Sequence, residues 1–297
     1  YQAFRFEFDL GKAASLATVQ FGICVTVAFL ACVVPLPKLG GIGLDRLVQQ
    51  FDAWKYRKLD LIWISGAAVF LILPLAAILF RGLGNILTLP GQVLTASITS
   101  LLIALISTAV CICLALVLSL SLACSRLNTQ KIAEGISVLG LSTSPLVVGT
   151  GLFLMIFPFV HPASLAIPVT AFVNAMMAMP FVLRVLMPAV REIYNDYLHL
   201  RLSLNMGWGV WLMRIVFPRL RRPIGFSVGL VAALSMGDFG VIALFSDPEL
   251  QTLPLMLYRL MGAYRMDQAA AVAVVLVVQS LFLFWIFDQG GRRHSVS

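Results

Sequence analysis

One acid sits where acids are costly. Asp238 lies in the apolar stretch 223–246, with Ser235 one helical turn before it and Phe239 beside it. A carboxylate at membrane depth is expensive unless it faces a cavity or a partner. Two roles fit it. On a translocation pathway it would offset the cost of dehydrating a cationic substrate. Within the protein it would cap a helix or bridge two, and Gly237 and Gly240 permit a broken helix there. Asn174 in the stretch 163–183, and the run Ser142, Thr143, Ser144, Pro145 followed by Gly149 and Gly151, carry the same pair of readings. They would line a cavity or let helices pack closely.

The other reactive side chains point to no metal, cofactor or catalytic site. Cys24, Cys32, Cys111, Cys113 and Cys124 all lie in apolar runs. Cys111 and Cys113 would point about 200° apart on a helix, as apolar fillers rather than a disulfide or metal pair. His161, His199 and His294 are scattered. Met176, Met177, Met179 and Met187 are spaced as gap-fillers between helices rather than as a soft-metal path. No phosphate-binding Gly-x-x-x-x-Gly-Lys-Ser/Thr loop, His-Glu-x-x-His or Gly-x-Ser-x-Gly occurs, so neither ATP hydrolysis by this chain nor an intramembrane enzyme is expected. Asp238-Phe239-Gly240 matches the kinase magnesium triplet by accident, because no other kinase element accompanies it.

Elements that could position these residues follow from composition. Of 297 residues, 60% are hydrophobic and 11% charged, where soluble domains carry about 25% charged. The mean hydropathy is +0.97. No soluble fold of this size hides that much apolar surface, so the expected fold class is an all-α integral membrane protein. A bilayer core needs about 20 apolar residues as helix. Seven stretches qualify, at 14–36, 61–80, 94–125, 135–160, 163–183, 223–246 and 268–287, and only the sixth contains a charged residue. Seven transmembrane helices are therefore expected.

The net charge of +8 reads as membrane topology rather than nucleic-acid binding. Sixteen of the 21 Lys and Arg fall on one side of the seven spans, among them Lys55, Arg191, Arg214, Arg222 and Arg292. The other side receives Arg5, Lys12, Arg81, Arg259 and Arg265. The richer side is expected to be cytoplasmic, with the C-terminus and the loop 191–222 on it. Arg184 is expected to snorkel to that interface. Leu44, Leu47, Val48, Phe51 and Trp54 share a helical face within 38–58. That segment fits a helix lying in the membrane interface, or equally a linker helix packed on protein.

The loop 191–222 is too polar to span and too apolar to be free. Leu198, Leu202 and Asn205 fall on one helical stripe, Gly207 and Gly209 are expected to break the helix, and Trp211, Leu212 and Ile215 form a second stripe stopped before Pro218. Apolar residues left exposed by such a unit need a partner surface or the membrane interface. A second pattern joins the chain's ends. The run from Tyr1 through Asp9 to Ala14 resembles that from Tyr258 through Asp267 to Ala271, and each leads into an apolar stretch. Parallel repeats are common in transporters. On this reading 1–37 holds the last helix of a truncated first unit, 38–58 is a linker, and 59–297 is a complete six-helix unit.

The loop resembles the cytoplasmic coupling loop of binding-protein-dependent ABC importer permeases. That family's pattern is Glu-Ala-Ala, three residues, Gly, nine residues, Ile, one residue, Leu-Pro. Registered on Pro218, its isoleucine is Ile215, its leucine is Phe217, its glycine is Asn205, and its Glu-Ala-Ala head falls on His199, Leu200 and Arg201. The tail is kept and the acidic head is not. Asn replaces Gly best in a left-handed turn. The run Leu234-Ser235-Met236-Gly237-Asp238-Phe239-Gly240, with Thr252-Leu253-Pro254 and Leu257-Tyr258 after it, narrows the resemblance to the second half of the fused double permeases of thiamine importers. The alternative is the fused permease of a ferric-ion importer.

The resemblance implies a bacterial inner-membrane subunit and three protein partners. These are a dimer of cytoplasmic ABC ATPase subunits, a periplasmic substrate-binding protein and the missing first permease unit. It implies that His199, Leu202, Ser203, Asn205, Gly207, Trp211, Ile215 and Pro218 belong to the ATPase-coupling loop. In such a subunit Ser235, Asp238, Phe239 and Asn174 are the candidates for the translocation pathway, on the residue reading given above and beside its structural alternative.

Overall fold

The computed structural model describes residues 53–86, 89–125, 144–160, 162–245 and 251–293, with isolated positions between 15 and 26. Most of the expected first span, the run Tyr1–Ala14 and residues 38–52 lie outside the described residues. Among those described, the elements are helices. They are α1 (Ala53–Gly84), α2 (Gln92–Ala123), α3 (Pro145–Ile156), α4 (Ala166–Ser203), α5 (Trp208–Trp211), α6 (Phe217–Met236), α7 (Ile242–Phe245), α8 (Leu253–Gly262) and α9 (Met266–Arg293). Residues 53–58, expected to belong to a separate linker helix, are continuous with α1.

Four helices are long and apolar enough to cross a membrane: Asp60–Gly84, Gln92–Ala123, Ala166–Ser203 and Met266–Arg292. They contain the expected second, third, fifth and seventh spans. The expected fourth is described only as the 12-residue α3. The expected sixth is not one helix. The chain leaves α6 at Met236 and resumes helix only at Ile242.

The packing is that of a protein whose solvent is lipid. Along α2 the residues Ala96, Ser100, Ala104, Ser107, Cys111, Ala115 and Ser119 recur every three or four positions, and all are buried. Leu94, Leu102 and Val117 on its other face are 49–69% exposed. Small residues inside and large apolar residues outside is the arrangement that lets backbones approach in a bilayer. Cys111 is buried and Cys113 exposed, as their spacing requires. Ser107 and Thr108 return their hydroxyls to the Ile103 and Ala104 carbonyls, both at 2.6 Å, so neither is left unsatisfied.

Helices α2, α4, α6 and α9 form the bundle, α8 leans on α9, and α1 packs along α9. The contact between α6 and α9 is set by glycine. A Cβ at Gly225 would lie 2.8 Å from Gly291 Cα and from the Phe287 carbonyl oxygen, and one at Gly229 would lie 3.0 Å from the Phe284 carbonyl oxygen. Gly225 and Gly229 are four apart, the small-xxx-small spacing of close helix contacts. Hydrogen bonds cross the bundle as well. Ser97 donates to Gln279 Oε1 at 2.7 Å, and the Leu253 backbone N–H donates to Ser100 Oγ at 2.9 Å.

Helix α4 has 38 residues, which is about 57 Å at 1.5 Å per residue. That is nearly twice a hydrocarbon core of about 30 Å. The helix therefore continues past the expected end of the fifth span, and Arg184 is an exposed position partway along α4. The second half of α4 carries much of the segment expected as a loop.

Candidate translocation and coupling sites

Asp238 sits at the break after α6. Its carboxylate accepts from the backbone N–H groups of Gly240 and Val241, just ahead of α7. A carboxylate only accepts, and this orients the facing amide of Asn174. The Asn174 nitrogen donates to Asp238 Oδ2 at 2.9 Å and to the Thr170 carbonyl at 3.3 Å, and its oxygen accepts from Ser235 Oγ at 2.9 Å. Ser235 Oγ lies 3.0 Å from Ser107 Oγ. Hydrogen bonds thus join α4, the end of α6 and the break, Ser107 of α2 lies against them, and Asn174 and Ser235 are buried. Such a network holds its members in one arrangement when each is satisfied.

Asn174, Ser235 and Asp238 also line an open cleft of about 170 Å³, together with Pro145, Met177 and Phe181. Pro145 begins α3. Phe239 stands apart from this cleft. Its ring lies 4.8 Å from that of Tyr258 on α8, tilted by 37°. Three of the four residues expected on a pathway are therefore neighbours, and the fourth packs on another helix. Sequence reasoning missed Ser107, one of many hydroxyls along α2, and Thr170, whose place one turn before Asn174 on α4 was the available signal.

The second site is the turn after α4. Asn205 has φ 45°, the left-handed conformation. The Met206 N–H donates to the Arg201 carbonyl at 3.0 Å and the Asn205 N–H to the Leu202 carbonyl at 3.2 Å. This is a Schellman ending with Asn at the position glycine usually takes. Gly207 then precedes α5 in extended conformation, with φ −62° and ψ 152°. Gly209 lies inside α5 and breaks nothing. Nor does Pro218 stop a helix. A π-helical segment, Leu212–Val216, carries the chain from α5 into α6, where Pro218 occupies the first turn. Proline lacks the N–H that would continue the ladder, and it sits where the π turn, with Phe217 N–H bonded to the Leu212 carbonyl, already departs from the regular α pattern.

Packing divides this element into an anchor and a face. Trp211 is 1% exposed and Ile215 8%. With Val190, Ile193, Val216 and Leu220 they form one apolar cluster. These two residues of the expected coupling loop are thus inside the protein, because the register that continues α5 into α6 turns them onto α4. The exposed set is Leu202, Leu204, Val210 and Met213, at 65, 62, 51 and 72%. His199, Ser203, Asn205 and Gly207 are exposed and Pro218 is half-buried. Arg201, at the end of the displaced acidic head, braces the turn. Its guanidinium lies 3.9 Å from the centre of the Trp208 ring, and its Nε donates to the Met206 carbonyl at 3.4 Å. Arg219 does likewise at Tyr197, over the ring at 4.0 Å and donating to the hydroxyl at 2.9 Å.

A cleft with a carboxylate is thus joined by one helix to an exposed apolar turn, in an all-α membrane protein. Over 99% of its length the chain is 32% identical to the thiamine transport system permease protein ThiP of Salmonella typhimurium. It is 31% identical to that of Escherichia coli over 97% of its length, and 33% identical to that of Haemophilus influenzae over 96%. The chain spans about half the length of these curated relatives, 54–56%. A sulfate transport system permease protein, CysW of Synechocystis, is 28% identical over 43% of the chain. No family model matches.

Proposed function

We propose that this chain is the second permease unit of an ATP-driven importer of the bacterial inner membrane, carrying thiamine and its phosphate esters. The observation behind this reading is its likeness, along nearly its whole length, to thiamine transport permeases about twice as long. The ATP is hydrolysed by a separate ATPase dimer, and a periplasmic binding protein delivers the substrate. The first unit supplies the other wall of the pathway.

Leu202, Leu204, Val210 and Met213 enter a groove of the ATPase, and Trp211, Ile215, Val216 and Leu220 hold the element to α4. The π segment and α6 run without interruption from that anchor to Met236, two residues before Asp238. Closure of the ATPase dimer therefore displaces α6 along its length and shifts the break at 237–241 against α4. The cleft changes shape as a rigid-body consequence. Thiamine bears a permanent positive charge, which Asp238 compensates while the substrate sheds water, with the Phe181 ring beside it.

The test uses the full-length gene in a strain that neither makes nor imports thiamine. Uptake of labelled thiamine should require both the permease and its ATPase. No uptake with the protein present in the membrane would remove thiamine as the substrate.

A further inference from the structure

A second, smaller space shares Asn174, Ser235 and Asp238 with the cleft, and Ile103, Met236 and Ile242 form its apolar wall. It is a small cavity of about 10 Å³, bounded by Ser100 of α2, Thr170 and Asn174 of α4, Ser235, Asp238 and Thr252. Thr170 is 1% exposed and Thr252 3%. The Oγ1 atoms of both are buried with no protein hydrogen-bond partner among the described residues. A hydroxyl shut away from water without a partner carries a desolvation cost, and native interiors meet it with protein or water.

The environment of Thr252 makes this specific. Thr252 is the N-cap of α8, where its hydroxyl would ordinarily accept from a backbone N–H of the first turn. It makes no such bond. The N2 residue is Pro254, which has no N–H to offer, and the N1 N–H, that of Leu253, is taken from the neighbouring helix by Ser100 Oγ at 2.9 Å. The Thr252 hydroxyl has no protein partner among the described residues. Asp238 is not short of donors, since Gly240, Val241 and Asn174 all donate to it. What remains is two hydroxyls beside a satisfied carboxylate, in a space the size of one water. A cavity needs roughly 10–15 Å³ to hold a single water, and a buried water needs two to four polar partners.

We propose that this cavity is a binding site for one ordered water, held by Thr170 Oγ1 and Thr252 Oγ1 and adjoining Asp238, which ties α8 to α4 across the broken helix. A water fits better than a cation, because the carboxylate is already occupied by three N–H groups and the two hydroxyls lack acceptors. The site stands whatever the transported substrate is.

The test is a cryo-electron-microscopy map of the intact transporter, at a resolution where ordered waters are visible, in sodium and in choline buffers. A single solvent peak about 3 Å from both Oγ1 atoms is expected in both buffers. T252V and T170V should each lose the peak and lower the unfolding midpoint by a few degrees, about what one lost hydrogen bond does in a protein of this size. T252S should keep both. A peak that appears only with sodium would overturn the proposal in favour of a monovalent cation. No peak, in a map that resolves other internal waters, would overturn it outright, and so would a peak that persists in both valine variants.

Discussion

Asp238 holds the entry to α7 through its bonds to Gly240 and Val241, and it also lines the cleft beside Asn174. Asp238→Asn keeps one acceptor oxygen for the backbone N–H groups, and its amide nitrogen can donate to Asn174 once that amide turns over, so the main change is the lost charge. Uptake of labelled thiamine by this variant is expected to fall about tenfold, the ~1.4 kcal/mol that a bond to a charged group differs from a neutral one. Full uptake at normal expression would leave Asp238 a purely structural part. Asn205 is a second case of chemistry fixed at one residue. At φ 45° a glycine fits without strain and a β-branched residue does not. Asn205→Gly should leave stability and stimulated ATPase activity near wild type. Asn205→Val should cost about 1–3 kcal/mol, measured by thermal unfolding in detergent.

Within the turn–helix element, burial separates holding from contacting. Trp211→Ala removes the largest side chain of its cluster and is expected to cost about 3–5 kcal/mol, read as loss of folded protein on heating. Met213→Glu and Leu202→Glu alter exposed positions, so their unfolding midpoints should stay within about 0.5 kcal/mol of wild type. ATPase stimulation in the assembled complex should nevertheless be lost. A stable Met213→Glu, Leu202→Glu double variant with full stimulation would exclude this face from docking. The contact between α6 and α9 is the other test at this scale. Gly229→Leu places a side chain against the Phe284 backbone, which cannot yield as a flexible side chain would. It should separate the two helices and reduce the yield of folded transporter.

For the whole molecule the uneven division of Lys and Arg predicts orientation. A reporter fused after Ser297 should be active only if it functions in the cytoplasm, and an extracytoplasmic signal would invert the assignment of both sites. That the protein lives in lipid, that its elements are helices, and that Asp238 and the segment 199–218 are its unusual features all follow from composition and spacing. Those are local properties, because 20 apolar residues can only be a helix in a bilayer and a charge in such a run stands out without any partner being known. Where helices end is less local. The break at 237–241 is signalled by Gly237 and Gly240, yet Gly209 and Pro218 carry equally strong breaker types and sit within helical turns. The difference lies in what surrounds them: α5 and the π segment are held against α4 by Trp211 and Ile215, which outweighs intrinsic preference. Tertiary structure alone decided that these two residues anchor the element while Leu202 and Met213 remain exposed. It also decided that Phe239 belongs to Tyr258 rather than to Asp238, and that Ser107 and Thr170 adjoin the polar network. Each of these depends on the rotation of one helix against another, a quantity set by glycine contacts and small-residue stripes across the bundle and carried by no single segment of the chain.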